Sequence, residues 1–306
     1  KQWVDLQNGH ETYYSIVDLH ALTGDVDPAL LRARTLASAA QLIAVGIDTD
    51  KSALFVQSHL PEHNQLGWVM ECVASFGEAS RMTQFKDKSS KGGADGARVG
   101  LFTYPMLQAA DILLYQADLV PVGEDQRQHI EITRDLANRF NTRYGQVFTL
   151  PDAYILKEGA KIFDLQEPTN KMSKSASSAS GVIELMDAPE INIKKIKSAV
   201  TDTGREVIFD VENKPGISNL MTIYSVVTGK TIPVIQDEFA GKGYGDFKAS
   251  VAESTVEYLR PMREKALELL KDEGELIRIL NNGADKARVL ASKTLKDAYK
   301  ALGILG

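Results

Sequence analysis

The chain has 306 residues, of which 43% are hydrophobic, and a formal net charge of −6. This length predicts about two domains with ample apolar side chains for packed cores. No stretch approaches the ~18 consecutive apolar residues of a membrane span, and the acidic balance argues against indiscriminate nucleic-acid binding. A single cysteine, Cys72, excludes a disulfide framework and a thiolate metal site. We expect it to be a buried structural thiol in a protein of a reducing compartment, the cytoplasm.

Strands and helices alternate in the first half of the chain. A short amphipathic helix is predicted around Trp3, Val4 and Leu6. Strands are then predicted at 13–17, 53–57 and 119–122, and helices at 27–45, 61–76 and 126–141. Asp27-Pro28 is a favourable helix start, since proline suits the first helical position. The alternation favours an α/β fold with a doubly wound, parallel (Rossmann-like) sheet.

The order of the first elements predicts a further strand upstream. The chain opens with a helix and then a strand, whereas the crossover unit of a parallel sheet is strand, helix, strand. We therefore expect the given sequence to begin inside a βαβ unit, with the preceding strand lying before Lys1.

The second half is predicted to be mostly helical. Two polar loops precede it, a glycine-rich one at 86–99 and one rich in serine and lysine at 168–181. Helices are predicted at 191–200, 217–227, 246–270, 273–280 and 284–302, and Pro261 is expected to kink or split the longest of them. Residues 186–306 carry 18 basic and 18 acidic side chains, so all of the net negative charge lies in residues 1–185. A nucleic-acid partner would have to meet local basic clusters.

The strongest local motif is the pentapeptide at residues 171–175. Lys171 and Lys174 are three residues apart and flank Met172 and Ser173, and Ser175 follows. Two ammonium groups in such a loop can close on a polyphosphate and stabilise the charge that develops on a leaving pyrophosphate. The alternative for a loop of this composition is a solvated surface segment.

This pentapeptide, KMSKS, is the second signature of the class I aminoacyl-tRNA synthetases, and the chain resembles the bacterial tryptophanyl members of that class over nearly its full length. Further matching blocks lie at residues 16–20, 82–89, 104–105, 109–115, 120–126 and 241–245. The resemblance implies a Rossmann-like catalytic domain at 1–184, an all-helical anticodon-binding domain at 185–290, and a last helix at 291–306 that packs back on the catalytic domain.

The resemblance implies that Asp111 accepts a hydrogen bond from the indole N–H of tryptophan. The chemistry is sound, because indole has one donor and no acceptor, and a carboxylate in an apolar helical run needs a donor. An aspartate that pairs with an arginine or caps a helix is the alternative. The resemblance also assigns five residues to the tryptophan pocket, for which core packing is the alternative: His20, Tyr104, Val120, Val122 and Gln126.

The resemblance places ATP on three segments. The turn Gly123, Glu124, Asp125 and Gln126 follows a strand and opens a helix, where open α/β sheets bind anionic ligands. The remaining ATP-binding residues are Lys171, Met172, Ser173, Lys174 and Ser175. Lys88 in the glycine-rich loop matches a lysine that contacts the phosphates, and Lys88, Lys171 and Lys174 are the expected catalytic residues. Mg²⁺ is expected with ATP, while His59, His63 and His129 are too scattered to predict a protein metal site.

The activity implied is that of a tryptophan–tRNA ligase, which forms tryptophanyl-adenylate from L-tryptophan and ATP and transfers the tryptophanyl group to tRNA(Trp). The resemblance further implies a homodimer, with tRNA reaching across subunits. Lys194, Lys195 and Lys197 form a candidate basic cluster for tRNA, and a solvated helix face explains them equally well.

Three departures from the family pattern stand out. The first signature, His-x-Gly-His or His-x-Gly-Asn, is absent from this sequence, and its place in the family lies before Lys1. If it is truly absent from the protein, we expect severely impaired adenylate formation. Gln108 stands where methionine is common, and Ala176 where aspartate is common. Two alternatives stay open: a tyrosyl enzyme of the same class, and a synthetase-like protein that binds tryptophan or tRNA without catalysis.

Overall fold

The computed structural model describes residues 2–82, 98–155, 161–173 and 178–305. The chain divides into two compact units, the first made of residues 1–157 and 269–306 and the second of residues 158–268. The boundary expected at residue 184 therefore lies inside the second unit, and the chain returns to the first unit at 269, earlier than the expected 291.

The elements follow one another in chain order. The first unit begins with α1 (Gln2–Leu6), β1 (Tyr13–Ile16), α2 (Asp18–Ala21), α3 (Pro28–Ala44), β2 (Ala53–Val56), α4 (Glu62–Val73), α5 (Phe76–Arg81), α6 (Val99–Leu113), β3 (Leu119–Pro121), α7 (Arg127–Tyr144) and β4 (Asp152–Tyr154). Next come α8 (Pro189–Lys197), α9 (Pro215–Thr228), α10 (Ile232–Glu238) and α11 (Tyr244–Leu269), and α12 (Glu273–Leu302) ends the series in the first unit.

The described strands form two parallel pairs. β1 pairs with β2, with Tyr13 opposite Ala53 and Ile16 opposite Val56. β3 pairs with β4, a three-residue strand that the sequence analysis missed. The parallel arrangement and the helices between the strands confirm the predicted α/β class. Because parallel strands end at the same edge, the residues that follow β1 and β2 become neighbours.

Local capping determines where two of the helices begin. At α3 the Asp27 carboxylate accepts a 2.9 Å hydrogen bond from the Leu30 N–H, and Pro28 occupies the first turn, as predicted. At α5 Ser75 and Glu78 form a capping box. Arg139 of α7 also binds Glu78 and is the main reason that the pKa of Glu78 falls to about 2. The cap thereby joins α5 to α7.

The core of the first unit lies between α4, α6, α7, α12 and β2. All four residues of β2 are buried. At Gly283 of α12 an added Cβ atom would lie 1.9 Å from the Leu54 carbonyl oxygen. Glycine therefore lets the helix backbone approach the strand more closely than any other residue would. The sequence analysis placed a helix break near this glycine, which is wrong: α12 is one helix of 30 residues.

The second unit has its own core, built from α8 to α11 and the segment before α8. Tyr224, Phe239 and Phe247 form edge-to-face aromatic contacts with centroid distances of 4.9–6.0 Å. The buried Asn219 side chain accepts from the Phe163 N–H and donates to the Phe163 carbonyl, at 2.8 Å each. α11 continues through Pro261 for 26 residues.

Cys72 is exposed, contrary to the predicted buried thiol. It lies on α4, whose buried residues are Glu62, His63, Leu66, Gly67, Val69 and Met70. Cys72 lies outside that face. The prediction was wrong because the sequence alone did not show which side of the helix meets the core. Across the described ranges, no helix combines the length and apolar character needed to cross a membrane.

The close approach at Gly283 predicts a strong stability effect. We expect Gly283→Ala to lower the free energy of unfolding of the first unit by about 1–3 kcal/mol, because the new methyl group collides with strand backbone. Gly274→Ala in the same helix is the matched control, since its Cβ would meet nothing closer than 3.4 Å, and alanine there should be neutral or stabilising. Both tryptophans, Trp3 and Trp68, lie in the first unit, so tryptophan fluorescence during urea unfolding reports this change. Equal unfolding midpoints for the two variants would refute the steric account.

Candidate active site

Asp111 is the centre of the best-defined polar cluster in the first unit. It lies on α6 next to the buried Ala110 and Ile112, and its side chain is 13% exposed. Three side chains surround the carboxylate. His20 Nε2 lies 2.7 Å from Oδ2, His63 Nδ1 lies 2.6 Å from Oδ1, and Gln57 Nε2 lies 2.8 and 3.0 Å from the two oxygens.

The fold explains why these groups meet. His20 lies on α2, directly after β1, and Gln57 is the first residue after β2, so both stand at the edge where the two parallel strands end. Asp18 ties the two strand ends together, because it accepts hydrogen bonds from the Ser58 N–H at 3.0 Å and the Ser58 hydroxyl at 2.5 Å. His63 comes from the buried face of α4, which packs along α6.

The cluster keeps Asp111 ionised. Burial raises the pKa of its carboxyl group, but hydrogen bonds from His20 and His63 outweigh burial and hold the pKa below its ordinary value. An ionised carboxylate only accepts hydrogen bonds. The three neighbours are therefore donors, through His20 Nε2–H, His63 Nδ1–H and the Gln57 amide.

A second layer continues behind His63. Its Nε2 lies 2.8 Å from the hydroxyl oxygen of Tyr115. The Tyr115 ring stacks on Tyr13 at a centroid distance of 4.6 Å, and Phe55 packs against both Tyr115 and His63. The sequence analysis missed Gln57, His63 and Tyr115 as site residues. The position of Gln57 at the end of a predicted strand was the one signal that could have identified it.

Tyr104 stands on the same face of α6 as Asp111, seven residues earlier. Its ring meets the His20 ring edge-on at 6.2 Å, and its hydroxyl group lies 2.7 Å from Nε2 of the buried His129. Burial raises the pKa of Tyr104 to about 12 and lowers the pKa of His129. At pH 7 this pair is therefore a neutral phenol beside a neutral imidazole. His20, Tyr104 and Asp111 thus lie together, as the sequence analysis expected.

The remaining predicted pocket residues lie on β3 and the turn that follows it. Val120 and Val122 are partly buried, and the Val122 N–H donates to the Tyr154 carbonyl at 3.2 Å. Gln126 is also partly buried, and its amide donates to Asp125 Oδ2 at 3.1 Å.

The predicted ATP turn is exposed and short. Glu124 to Gln126 form a single 3₁₀ turn between β3 and α7, and Glu124 pairs with Arg127 at 2.6 and 3.0 Å. At Gly123 an added Cβ would lie 2.6 Å from Asp125 Oδ1, so the bare backbone accommodates that carboxylate. His129 links this region to Tyr104, since it lies in the first turn of α7.

Part of the KMSKS motif lies in the described portion of the second unit. Exposed Lys171 pairs with Phe163 in an antiparallel bridge, and the Met172 N–H donates to the Ile162 carbonyl at 3.1 Å. Met172 packs against the core of the second unit. Lys88, Lys174 and Ser175, predicted from the sequence, lie outside the described residues.

The loop that carries Lys171 is anchored at its base. The Leu165 N–H donates to the Gly181 carbonyl at 3.0 Å. The buried Asp164 carboxylate accepts from the Gln166 and Glu167 N–H groups at 2.6 and 3.0 Å. An added Cβ at Gly181 would lie 2.2 Å from the other Asp164 oxygen, so glycine makes room for this carboxylate. A main-chain hydrogen bond and the Asp164 carboxylate hold the base of the loop, whereas Lys171 is exposed.

The candidate basic cluster on α8 is smaller than predicted. Lys195 is mostly buried and its ammonium group lies 2.6 Å from Asp187 and 2.8 Å from the Val182 carbonyl. This lysine therefore stabilises the second unit and is unavailable to a phosphate. Lys194 and Lys197 are exposed.

Comparisons with known proteins identify the family of this chain. The family model "tRNA synthetases class I (W and Y)" matches residues 1–260. A Streptomyces avermitilis protein named tryptophan–tRNA ligase 2 is 60% identical over 305 residues, covering 100% of this chain and 90% of its own, and a Bacillus anthracis tryptophan–tRNA ligase is 52% identical, covering 99% and 92%. The crystal structure of Campylobacter jejuni tryptophanyl-tRNA synthetase complexed with ADP and tryptophan superposes with a TM-score of 0.88 at 36% identity, over 99% of this chain and 93% of that one. The family match and these identities over whole chains show that the chain belongs to the class I tRNA synthetases of the tryptophan and tyrosine group.

Proposed function

We propose that this protein is a tryptophan–tRNA ligase, which converts tryptophan and ATP into tryptophanyl-adenylate and pyrophosphate and then transfers the tryptophanyl group to tRNA(Trp). The observation that carries the proposal is the ionised Asp111 carboxylate at the edge where β1 and β2 end. The named relatives, all tryptophan–tRNA ligases, and the neighbour complexed with ADP and tryptophan support the same activity.

Asp111 selects tryptophan through the single polar atom of the indole ring. A carboxylate offers only acceptors, and the indole N–H offers only a donor, so the two groups match. A phenylalanine side chain would leave the carboxylate short of a partner, and such polar mismatches discriminate by about 10⁴–10⁵ in the tyrosyl–phenylalanine case. We assign His20, Tyr104, Val120, Val122 and Gln126 to the remaining walls of this pocket.

We assign ATP to the turn from Gly123 to Gln126 and to Lys171, Met172 and Ser173, together with Lys174, Ser175 and Lys88 from the sequence pattern. The turn gives backbone N–H groups at the start of α7, where a negative charge is favoured. Lys171 is exposed, and we assign its ammonium group to the pyrophosphate.

In the first step a carboxylate oxygen of tryptophan attacks the α-phosphorus of ATP in line with the leaving group. The bond from the α-phosphorus to the bridging oxygen breaks, and pyrophosphate leaves with its electron pair. No general base is needed, because the amino-acid carboxylate is ionised at neutral pH. Catalysis then depends on positioning and on stabilising the leaving charge, which we assign to Lys171 and Lys174.

We propose that Mg²⁺ arrives with ATP. Within the described ranges, no group of three histidine, cysteine or acidic side chains could hold a metal ion. A magnesium ion usually keeps several waters and binds through substrate phosphates and one or two carboxylates. The ion would supply positive charge at the polyphosphate.

For tRNA we propose the second unit as the anticodon-binding part. The exposed Lys194 and Lys197 on α8 are the groups available for phosphate contacts, and Lys195 is excluded by its ion pair with Asp187.

We also propose that the protein is a homodimer. Three large apolar side chains are exposed on consecutive helices of the first unit: Trp68 on α4 is 67% exposed, Phe76 on α5 is 79% exposed and Val99 on α6 is 76% exposed. The Phe76 ring also packs on Phe102 of α6, at a centroid distance of 5.1 Å. We centre the proposed association surface on α5 and α6, because the exposed Phe76 ring packs on the helix that carries the exposed Val99.

The activity is tested by ATP–pyrophosphate exchange, measured on the chain as given and on the product of the full open reading frame. We expect the product of the full open reading frame to show exchange with tryptophan and none with tyrosine. Exchange with tyrosine alone would indicate a tyrosyl enzyme. Tryptophan binding by a folded full-length product without exchange would leave a binding protein.

Asp111→Asn tests the proposed indole partner. We expect the KM for tryptophan to rise by about 10- to 100-fold, since hydrogen bonds to charged groups contribute about 1.5–3 kcal/mol, while the KM for ATP stays nearly constant. Asp118→Asn, an exposed aspartate in the same segment, is the control and should behave like the unmodified protein. An unchanged KM for tryptophan in Asp111→Asn would exclude Asp111 as the partner.

Lys171→Ala tests the assignment of the KMSKS loop. We expect kcat for pyrophosphate exchange to fall by about 10²–10³-fold, the usual effect of losing one group that stabilises a developing charge, with tryptophan affinity preserved. Lys265→Ala removes an exposed lysine from the same unit and serves as the control. A tryptophan-binding defect in Lys171→Ala with normal kcat would contradict the assignment.

Val99→Glu tests the proposed association surface. A buried carboxylate at the subunit contact is unfavourable, so we expect sedimentation velocity to show a shift from dimer to monomer. Val289 on α12 is 77% exposed, nearly as much as Val99, and Val289→Glu is therefore a matched control that should remain dimeric. Retention of the dimer in Val99→Glu would place the contact elsewhere.

A further inference from the structure

We infer that His63 and Tyr115 determine tryptophan specificity, because Tyr115 holds the His63 ring in the position from which its Nδ1–H donates to Asp111, and this bond keeps the carboxylate oriented as an acceptor for the indole N–H. The inference rests on the proposed function and deepens it. Both residues are positioning residues that act through Asp111.

The proton positions follow from the geometry. The His63 side chain is completely buried, with Nδ1 2.6 Å from Asp111 Oδ1 and Nε2 2.8 Å from the Tyr115 hydroxyl oxygen. A neutral imidazole has one donor nitrogen and one acceptor nitrogen. The carboxylate only accepts, so Nδ1 carries the hydrogen, and Nε2 accepts the hydroxyl hydrogen of Tyr115. Burial raises the pKa of Tyr115, so this hydroxyl keeps its proton.

Tyr115 is held in place by the core of the first unit. The residue is 7% exposed, and its ring stacks on Tyr13 at a centroid distance of 4.6 Å and contacts the Phe55 ring at 5.7 Å. Its hydroxyl group therefore points to His63 from a fixed position. Buried groups, rather than solvent, therefore determine the orientation of the His63 ring and of its hydrogen bond to Asp111.

The same geometry identifies which donor the substrate replaces. Gln57 and His63 are fully buried and hold Asp111 from the core side. His20 is the most accessible of the three donors, with 17% of its side chain exposed, and it comes from a helix of only four residues. We assign Oδ2, the oxygen that His20 occupies, to the indole N–H, while Oδ1 stays bound to His63.

Loss of the Tyr115 hydroxyl leaves the buried Nε2 of His63 without its hydrogen-bond donor, which costs free energy. The ring is then no longer held in the position in which Nδ1 lies 2.6 Å from Oδ1. Asp111 thereby loses a donor that orients its carboxylate. The acceptor on which the indole N–H depends is weakened.

The test is binding of L-tryptophan and of its benzothiophene isostere, in which sulfur replaces the indole N–H, to the full chain by calorimetry. The unmodified protein should prefer tryptophan by about 10- to 100-fold, the usual effect of one hydrogen bond to a charged group. In Tyr115→Phe this ratio should fall towards one, while affinity for the isostere changes by less than about threefold. Tyr144→Phe removes a hydroxyl from a tyrosine of the same unit whose ring packs on Phe140, and should keep the full ratio.

A ring-nitrogen measurement adds a direct reading of the proton. The chain has five histidines, so the ¹⁵N resonances of His63 can be assigned by comparison with His63→Asn. We expect a protonated Nδ1 in the unmodified protein, and in Tyr115→Phe a shift of the Nε2 resonance because its hydrogen bond from Tyr115 is lost.

The outcomes separate the inference from the function. A tryptophan preference that survives in Tyr115→Phe overturns the inference and leaves the proposed function intact. Equal loss of affinity for both ligands also overturns it, since that pattern indicates a general structural defect. An unmodified protein that does not distinguish the two ligands overturns both. Selective binding without pyrophosphate exchange in the full reading frame overturns the proposed activity alone.

Discussion

A carboxylate among apolar side chains needs hydrogen-bond donors. In the first unit Asp111 is such a carboxylate, and the fold must supply its donors. Its donors His20, Gln57 and His63 lie 91, 54 and 48 residues away along the chain. Removing the partners of a buried charge costs about 3–5 kcal/mol. Any slip between β1 and β2, or of α4 along α6, would break at least one of these bonds. The register of the parallel pair and the packing of the two helices are therefore tied to a group whose other task is substrate recognition.

The elements that follow from short-range chemistry were predictable. α3 begins at Asp27 and Pro28 because a carboxylate cap and a proline both favour a helix start, and β1 and β2 end within one residue of their predicted ends. Elements that depend on tertiary contacts were not. β4 has three residues and exists by pairing with β3. α12 continues through Gly283, which packs against a strand, whereas glycine in a sequence predicts a break.

The same division applies to the candidate site. Asp111 stands out in the sequence because a carboxylate in an apolar helical run needs an explanation, and His20 stands out at a strand end. His63 does not, because a polar residue on a buried helix face resembles any satisfied core residue until its partner is known. Lys195 illustrates the reverse error, since a lysine beside two others suggests a phosphate contact until Asp187 is seen to hold it. Which residue pairs with a polar side chain depends on the fold, and spacing along the chain does not reveal it.

The contact between α12 and β2 has a consequence for biosynthesis. Arg288 on α12 donates to the His59 carbonyl 229 residues earlier, and the strand just before His59 is buried at every position. The second unit is one contiguous stretch, so during translation it has all of its residues before the first unit does. Until residues 273–302 have been synthesised, β2 and the other groups that contact α12 remain uncovered in the nascent chain. Exposed apolar surface of this kind is prone to aggregation. The ribosome-bound intermediate is therefore more prone to aggregate than the completed protein.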